Sequence, residues 1–170
     1  MIILTALISF LMVVAQTQQP SLIETLRQKS ADECVSLDYE FTYTVSGVRT
    51  VGGGTVEIQG NAYHMLGNGM EIFCDGTSTW LIDHAASEVI IEAADSKEAG
   101  YMANPVTLLM NLENIASSYS VDGNKVTLIL PDDSSVEILV NSITSCGTKK
   151  TEDFCPPTKF DADWIVTDLR

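Results

Sequence analysis

From Leu37 to Val45 the chain alternates strictly, with Tyr39, Phe41, Tyr43 and Val45 on one side and Asp38, Glu40, Thr42 and Thr44 on the other. A period of two over this length is that of an extended strand with one apolar face, and a helix cannot satisfy it. Ser46-Gly47 supplies a turn into a second run, Val48 to Ile58. Gly52-Gly53-Gly54 interrupts that run and predicts a bulge or a sharp bend there.

Short strands are expected next at Ala62–Leu66, Met70–Cys74, Thr79–Ile82 and Glu88–Ala93, separated by turns at Gly67-Asn68-Gly69, Asp75-Gly76 and His84-Ala85-Ala86. The tail reads as further strands at Ser118–Val121, Lys125–Leu130, Ser135–Ile143 and Trp164–Val166, with Asp122-Gly123 and Asp132-Asp133 as turns. Two helices interrupt the series. Leu22 to Cys34 begins with Ser21 as N-cap and Glu24 completing a capping box, and carries Leu22, Ile23, Leu26 and Ala31 as a narrow apolar stripe. Asn104-Pro105 opens the second, Pro105–Asn114, with Val106, Leu108, Leu109 and Leu112. The expected fold class is α+β, mainly β: a meandering antiparallel sheet curved enough to wrap something.

Nearly every strand has an apolar face. The residues assigned to the inside are Phe41, Tyr43, Val56, Ile58, Tyr63, Met65, Ile72, Trp80, Ile82, Val89 and Ile91, followed by the aliphatic faces of the last strands. Together they hold more apolar surface than one short helix covers. Periodicity leaves two readings open, a core packed solid by its own side chains and a cavity for an apolar ligand.

The 170 residues carry 9 Lys+Arg against 23 Asp+Glu, a formal charge of −14. No basic cluster exists to neutralise a row of phosphates, which excludes nucleic acid as a partner and disfavours anionic headgroups. Self-repulsion at this charge favours a monomer. Ile2 to Ala15 is uncharged and apolar, and gives way to Gln16-Thr17-Gln18-Gln19-Pro20. As a helix it would rise only ~21 Å, short of a ~30 Å hydrocarbon core, so 1–15 is expected to be a signal peptide cleaved near Ala15. Residues 16–20 are then a linker, and 21–170 one exported, soluble domain.

Cys34, Cys74, Cys146 and Cys155 form an even set, which in an exported chain favours disulfides. Three connectivities are possible; Cys146 and Cys155 flank a polar stretch that a local bridge could close, a pairing that would leave Cys34 with Cys74. No paired Cys spacing suits zinc, and no metal or other cofactor is expected. The chain has no GxSxG, HExxH or Gly-rich loop opening a helix. His64, between Tyr63 and Met65, is expected on an outer face, and Asp83-His84 in a solvated turn. No catalytic residue is assigned and no enzymatic activity is expected.

The stretch from Ile72 to Asp83, with Asp75-Gly76 and Trp80, resembles the LolA family when taken with Glu88-Val89, the Asn104-Pro105-led helix and the closing Val166-Thr167-Asp168-Leu169-Arg170. These are periplasmic carriers of lipoproteins in bacteria with two membranes, and the resemblance spans about Leu22 to Arg170. It implies an unclosed antiparallel barrel of about eleven strands with a helical lid and an apolar cavity for the acyl chains of lipoproteins. It also implies an inner-membrane lipoprotein-release transporter as donor and an outer-membrane acceptor. Leu108, Leu109 and Leu112 would be lid residues competing with lipid. Met65, Met70, Met102 and Met110 would add adaptable surface. The chain departs from the family in strand three, where Gln59 to Met65 replaces an Arg-Pro and an aromatic pair, so the Arg that latches the family's lid has no counterpart there. Two other functions use the same sequence features: a binding module sensing lipoprotein or envelope stress, and a filled-core secreted β-domain.

Overall fold

A computed structural model describes residues 21–94, 105–156 and 160–170. The expected signal peptide, the linker, Met102 and Asn104 lie outside the described residues. Helix α1, Leu22–Asp32, starts where the capping box places it. The Ser21 amide donates to Glu24 Oε2 at 2.8 Å, and the Glu24 amide donates to Ser21 Oγ at 3.3 Å. Ile23, Leu26 and Ser30 are its buried residues, while Ala31 is exposed. The helix ends before the expected Cys34 because that residue already begins a strand.

Six strands follow as a meander: β1 (Cys34–Val45), β2 (Val48–Gln59), β3 (Ala62–Gly67), β4 (Met70–Cys74), β5 (Ser78–Asp83) and β6 (Glu88–Ala93). Ser46 and Gly47 both take positive φ, 50° and 79°, the two-residue turn whose twist matches the flanking strands. Two short helices come next, α2 (Pro105–Met110) and α3 (Leu112–Ile115), where one helix was expected. The break falls at Asn111, whose φ of −126° and ψ of 28° leave the helical region. Strands β7 (Ser118–Asp122), β8 (Lys125–Ile129) and β9 (Ser135–Gly147) complete the meander. A 3-10 turn at Thr151–Phe154 and a final strand, β10 (Ile165–Asp168), end the chain.

All the described strands belong to one sheet in the order β10-β6-β5-β4-β3-β2-β1-β9-β8-β7. Every pairing is antiparallel except β10 on β6, which is parallel. The sheet is unclosed, with β10 and β7 at its edges, and has ten strands among the described residues, not eleven. The glycine triplet makes no bulge: β2 keeps one register with β1 from Val48 opposite Val45 to Ile58 opposite Val35. The triplet permits close approach instead. A Cβ on Gly54 would stand 2.1 Å from the Leu66 carbonyl oxygen, and one on Gly52 would stand 2.7 Å from the Phe41 ring. The register shifts lie between β1 and β9, at Cys34/Val35 and Asp38/Tyr39.

The two sheet faces carry different cores. The inner face, defined here as the one bearing the helices, packs residues of β1–β4, β8 and β9 against Ile23 and Leu26 of α1, Leu108 and Leu109 of α2, and Leu112 of α3. The outer face carries a smaller cluster of Phe73, Ile82, Val89 and Ile91 with Trp80, covered by Phe160 and Trp164 of the C-terminal segment.

The disulfide pairing differs from both expected bridges. Cys34 is joined to Cys146, with a Cα–Cα distance of 5.2 Å, while Cys74 and Cys155 are free thiols. Strand β9 continues to Gly147, which pairs with Cys34, so Cys146 ends up beside the start of β1. Cys155 is instead carried off by the 3-10 turn, anchored by the buried Phe154. Closing a loop of 112 residues contributes about 4–5 kcal/mol by the chain-entropy model, before any native strain. We therefore expect Cys34→Ser/Cys146→Ser to lose about 2–5 kcal/mol in urea unfolding, and Cys74→Ser/Cys155→Ser to leave the bond intact. Thiol counting on the unreduced, denatured protein should find two free thiols, and peptide mapping should find Cys34 linked to Cys146.

Candidate functional site

The inner face is built by alternation. Leu37, Tyr39, Phe41 and Tyr43 project from β1 to the same side, and Gly54, Val56 and Ile58 lie opposite them on β2. Met65 and Tyr63 on β3 face Val56 and Ile58, and Ile72 and Cys74 on β4 face Met65 and Tyr63 in turn. Seven residues assigned to the interior from the sequence therefore share one cluster: Phe41, Tyr43, Val56, Ile58, Tyr63, Met65 and Ile72. Leu108, Leu109 and Leu112, the residues expected in a lid, pack on the same cluster and are 2% exposed or less.

The other four do not join it. Ile72 pairs with Leu81, and Leu81 with Ile90, so Leu81 is the β5 residue that packs inward. Trp80, Ile82, Val89 and Ile91 consequently project to the outer face and pack under Phe160 and Trp164. The runs Trp80-Leu81-Ile82 and Val89-Ile90-Ile91 are apolar at every position, so periodicity supplies no parity there. Only the register with β4 fixes which side faces in.

Among the described residues, one end of the inner face is open. A cleft of about 420 Å³ lies among Arg27, Ile58, Asn61, Tyr63, Cys74 and Met110, within the 300–1,000 Å³ span of small-molecule sites. The Cys74 thiol in its wall is pushed above its ordinary value by burial. At the rim, Arg27 of α1 ties down both short helices. Its Nη1 donates to Glu113 Oε1 at 2.9 Å, and its Nη2 donates to Glu113 Oε2 at 2.7 Å and to the Met110 carbonyl at 2.9 Å. This is a bidentate pair with a backbone bond added, but the two side chains are 34% and 49% exposed. Solvent screening limits it to about 1 kcal/mol. An arginine of α1 thus holds both short helices against the sheet. The sequence offers no signal for it, because Arg27 and Glu113 are far apart in the chain and each reads as a solvated charge.

Both histidines lie on the outer side, sharing Glu71. His64 Nε2 lies 2.8 Å from Glu71 Oε1, and His84 Nε2 lies 2.7 Å from Glu71 Oε2. His64 stacks on Phe73, with ring centroids 4.1 Å apart, and His84 meets the edge of Trp164. Burial raises the Glu71 carboxyl, but the two histidine bonds outweigh it and hold it below its ordinary value. Among the described residues no group of three or more His, Cys, Asp or Glu is placed to hold a metal ion.

Two inner-face features lie outside the set read from the sequence. Leu81 takes the place expected for its neighbours, and the Tyr39 hydroxyl is buried without a hydrogen-bond partner. Burial pushes the Tyr39 phenol up to about 12. Among known proteins, the chain matches no family model and no curated sequence.

The Arg27 guanidinium holds the Glu113 carboxyl at about 2, below the 4.5 of an unperturbed glutamate. Its stabilisation is present above the ordinary value and is lost as pH falls from there through about 2. Wild type should exceed Glu113→Gln by about 1 kcal/mol in urea unfolding at pH 6, and by nearly nothing at pH 2. An equal difference at both pH values would contradict the assignment.

Proposed function

We propose that the protein is a LolA-like periplasmic carrier that holds the acyl chains of lipoproteins on its inner face and passes them from an inner-membrane donor to an outer-membrane acceptor. The observation that carries this reading is the cover itself: two short helices seat three leucines on an apolar face and are tied at the rim by one half-exposed ion pair. The chain would work without covalent chemistry and without a cofactor.

The energies suit exchange. Three buried leucines contribute on the order of 5–9 kcal/mol, and a sixteen-carbon chain about 12 kcal/mol at ~0.8 per CH₂. The difference, about 3–7 kcal/mol, favours lipid over the helices, and reseating the leucines returns about 5–9 kcal/mol of the cost of handing the chain on. A permanently empty apolar groove would lack that balance, since its exposed surface favours aggregation. The 420 Å³ cleft beside Met110 is where a chain would first enter.

The competing reading is a filled-core β-domain, and the near-complete burial of the inner face supports it. The two readings diverge under truncation of the cover. In a carrier, Leu109→Ala loses about 2–5 kcal/mol of stability but binds a fluorescent palmitoyl probe more tightly, by roughly tenfold, because a competitor for the groove has been weakened. In a filled core the same variant loses stability and gains no affinity. A wild-type protein that ignores the probe and emerges from its own periplasm without lipid in native mass spectrometry would rule out the carrier.

A further inference from the structure

Among the described residues, the inner face holds one buried side-chain oxygen that its packing does not use. Tyr39 is 3% exposed, and its hydroxyl is buried with no hydrogen-bond partner. The other such atom among the described residues, Glu92 Oε2, belongs to a residue that keeps partial access to solvent. A phenylalanine at position 39 would fill the same space without stripping a hydroxyl of water, so packing alone gives no reason for the oxygen.

The backbone around the ring is cut to fit it. Tyr39 lies opposite Gly54, and Gly54 lies opposite Gly67. A Cβ on Gly67 would stand 3.2 Å from the Tyr39 hydroxyl, tighter than ordinary contact. The phenol therefore reaches from β1 toward β3 and brings its O–H beside Gly67. From Gly67 the inner residues Met65 and Tyr63 lead along the strand to the open cleft, a run of about 13 Å at ~3.3 Å per residue.

We propose that the Tyr39 hydroxyl donates a hydrogen bond to the carbonyl oxygen of the bound chain, so that the ligand is an acyl group in ester or amide linkage. A hydrocarbon offers this donor nothing, and an alkyl ether offers it only a poor acceptor. The carbonyl is the one strong acceptor on an otherwise apolar chain, and it would satisfy the hydroxyl that packing leaves unpaired. This assignment rests on the carrier reading above and adds to it the residue that meets the carbonyl of the bound acyl group.

The test compares wild type with Tyr39→Phe on three probes sharing a sixteen-carbon chain: a palmitoylated peptide, monopalmitoylglycerol and the hexadecyl ether of glycerol. The variant should be at least as stable as wild type, since it loses only an unpaired hydroxyl. Its affinity should fall about 3- to 10-fold for carbonyl-bearing probes, the size of one net hydrogen bond, and stay unchanged for the ether. A loss confined to the peptide identifies acylated protein as the source of the chain, and one confined to the glyceride identifies a glycerolipid. With a ¹³C-labelled carbonyl, the infrared stretch of the bound probe should lie lower in wild type than in the variant. Equal affinity for all probes, or an equal loss on all, overturns the role of Tyr39 and leaves the carrier standing. Failure of wild type to bind any probe overturns both.

Discussion

Strand β1 hydrogen-bonds along almost its whole length to β2 on one side and to β9 on the other, and the remaining strands are hung from those two partners. Because side chains alternate, this double pairing decides which residues form the inner core. In the observed register Val35, Leu37, Tyr39 and Phe41 are buried, while Asp38 and Glu40 remain exposed. A slip by one residue would bring both carboxylates onto the apolar side. The Cys34–Cys146 bond sits at the end of this central pairing and pins it. Gly52 serves the same arrangement, since it leaves room for the Phe41 ring that β1 turns inward, while Gly54 lets β2 approach the β3 backbone at Leu66 and Gly67.

Where one face of a strand is polar, the sequence and the structure agree closely. The alternation from Leu37 to Phe41, the capping box at Ser21 and Glu24, and the turns at Ser46-Gly47 and Asn68-Gly69 all recur in the fold, while beyond Phe41 the alternation fades and Val45 is exposed. Legibility fails where local pattern carries no information. In Trp80-Leu81-Ile82 and Val89-Ile90-Ile91 both faces are apolar, because a second cluster under Phe160 and Trp164 buries the outer side too. The disulfide was illegible for another reason: sequence proximity favoured Cys146 with Cys155, whereas strand pairing delivers Cys146 to Cys34. Arg27 with Glu113 and the unpaired Tyr39 hydroxyl are likewise products of tertiary contact. No spacing along the chain announces either one.

The cover over the inner face is short by any helical standard. Helices of six and four residues are far below the length at which a helix holds its own shape in water. Their order comes from outside, from leucines seated on the sheet and from one arginine reaching across from α1. Such an element has little conformation of its own to defend when its seat is taken. The sheet beneath is the opposite, a continuous ladder with a covalent tie at the end of the β1–β9 pairing. A rigid floor under a weakly tethered cover allows one part to move while the other keeps its shape.

The order of strands also sets a timetable. β1 lies near the beginning of the described chain, yet the neighbour that completes its pairing, β9, runs only to Gly147. The β10–β6 pairing waits longer still, because β10 comes from Ile165–Asp168, after every other strand in the chain order. A chain emerging from its amino end can fold the β1–β6 meander early, but its central seam stays open until most of the polypeptide has appeared. Contacts of such wide separation make completion late and collective. The half-formed sheet must meanwhile keep the bare edge of β1 from pairing with another chain, a task for which the high negative charge is well suited.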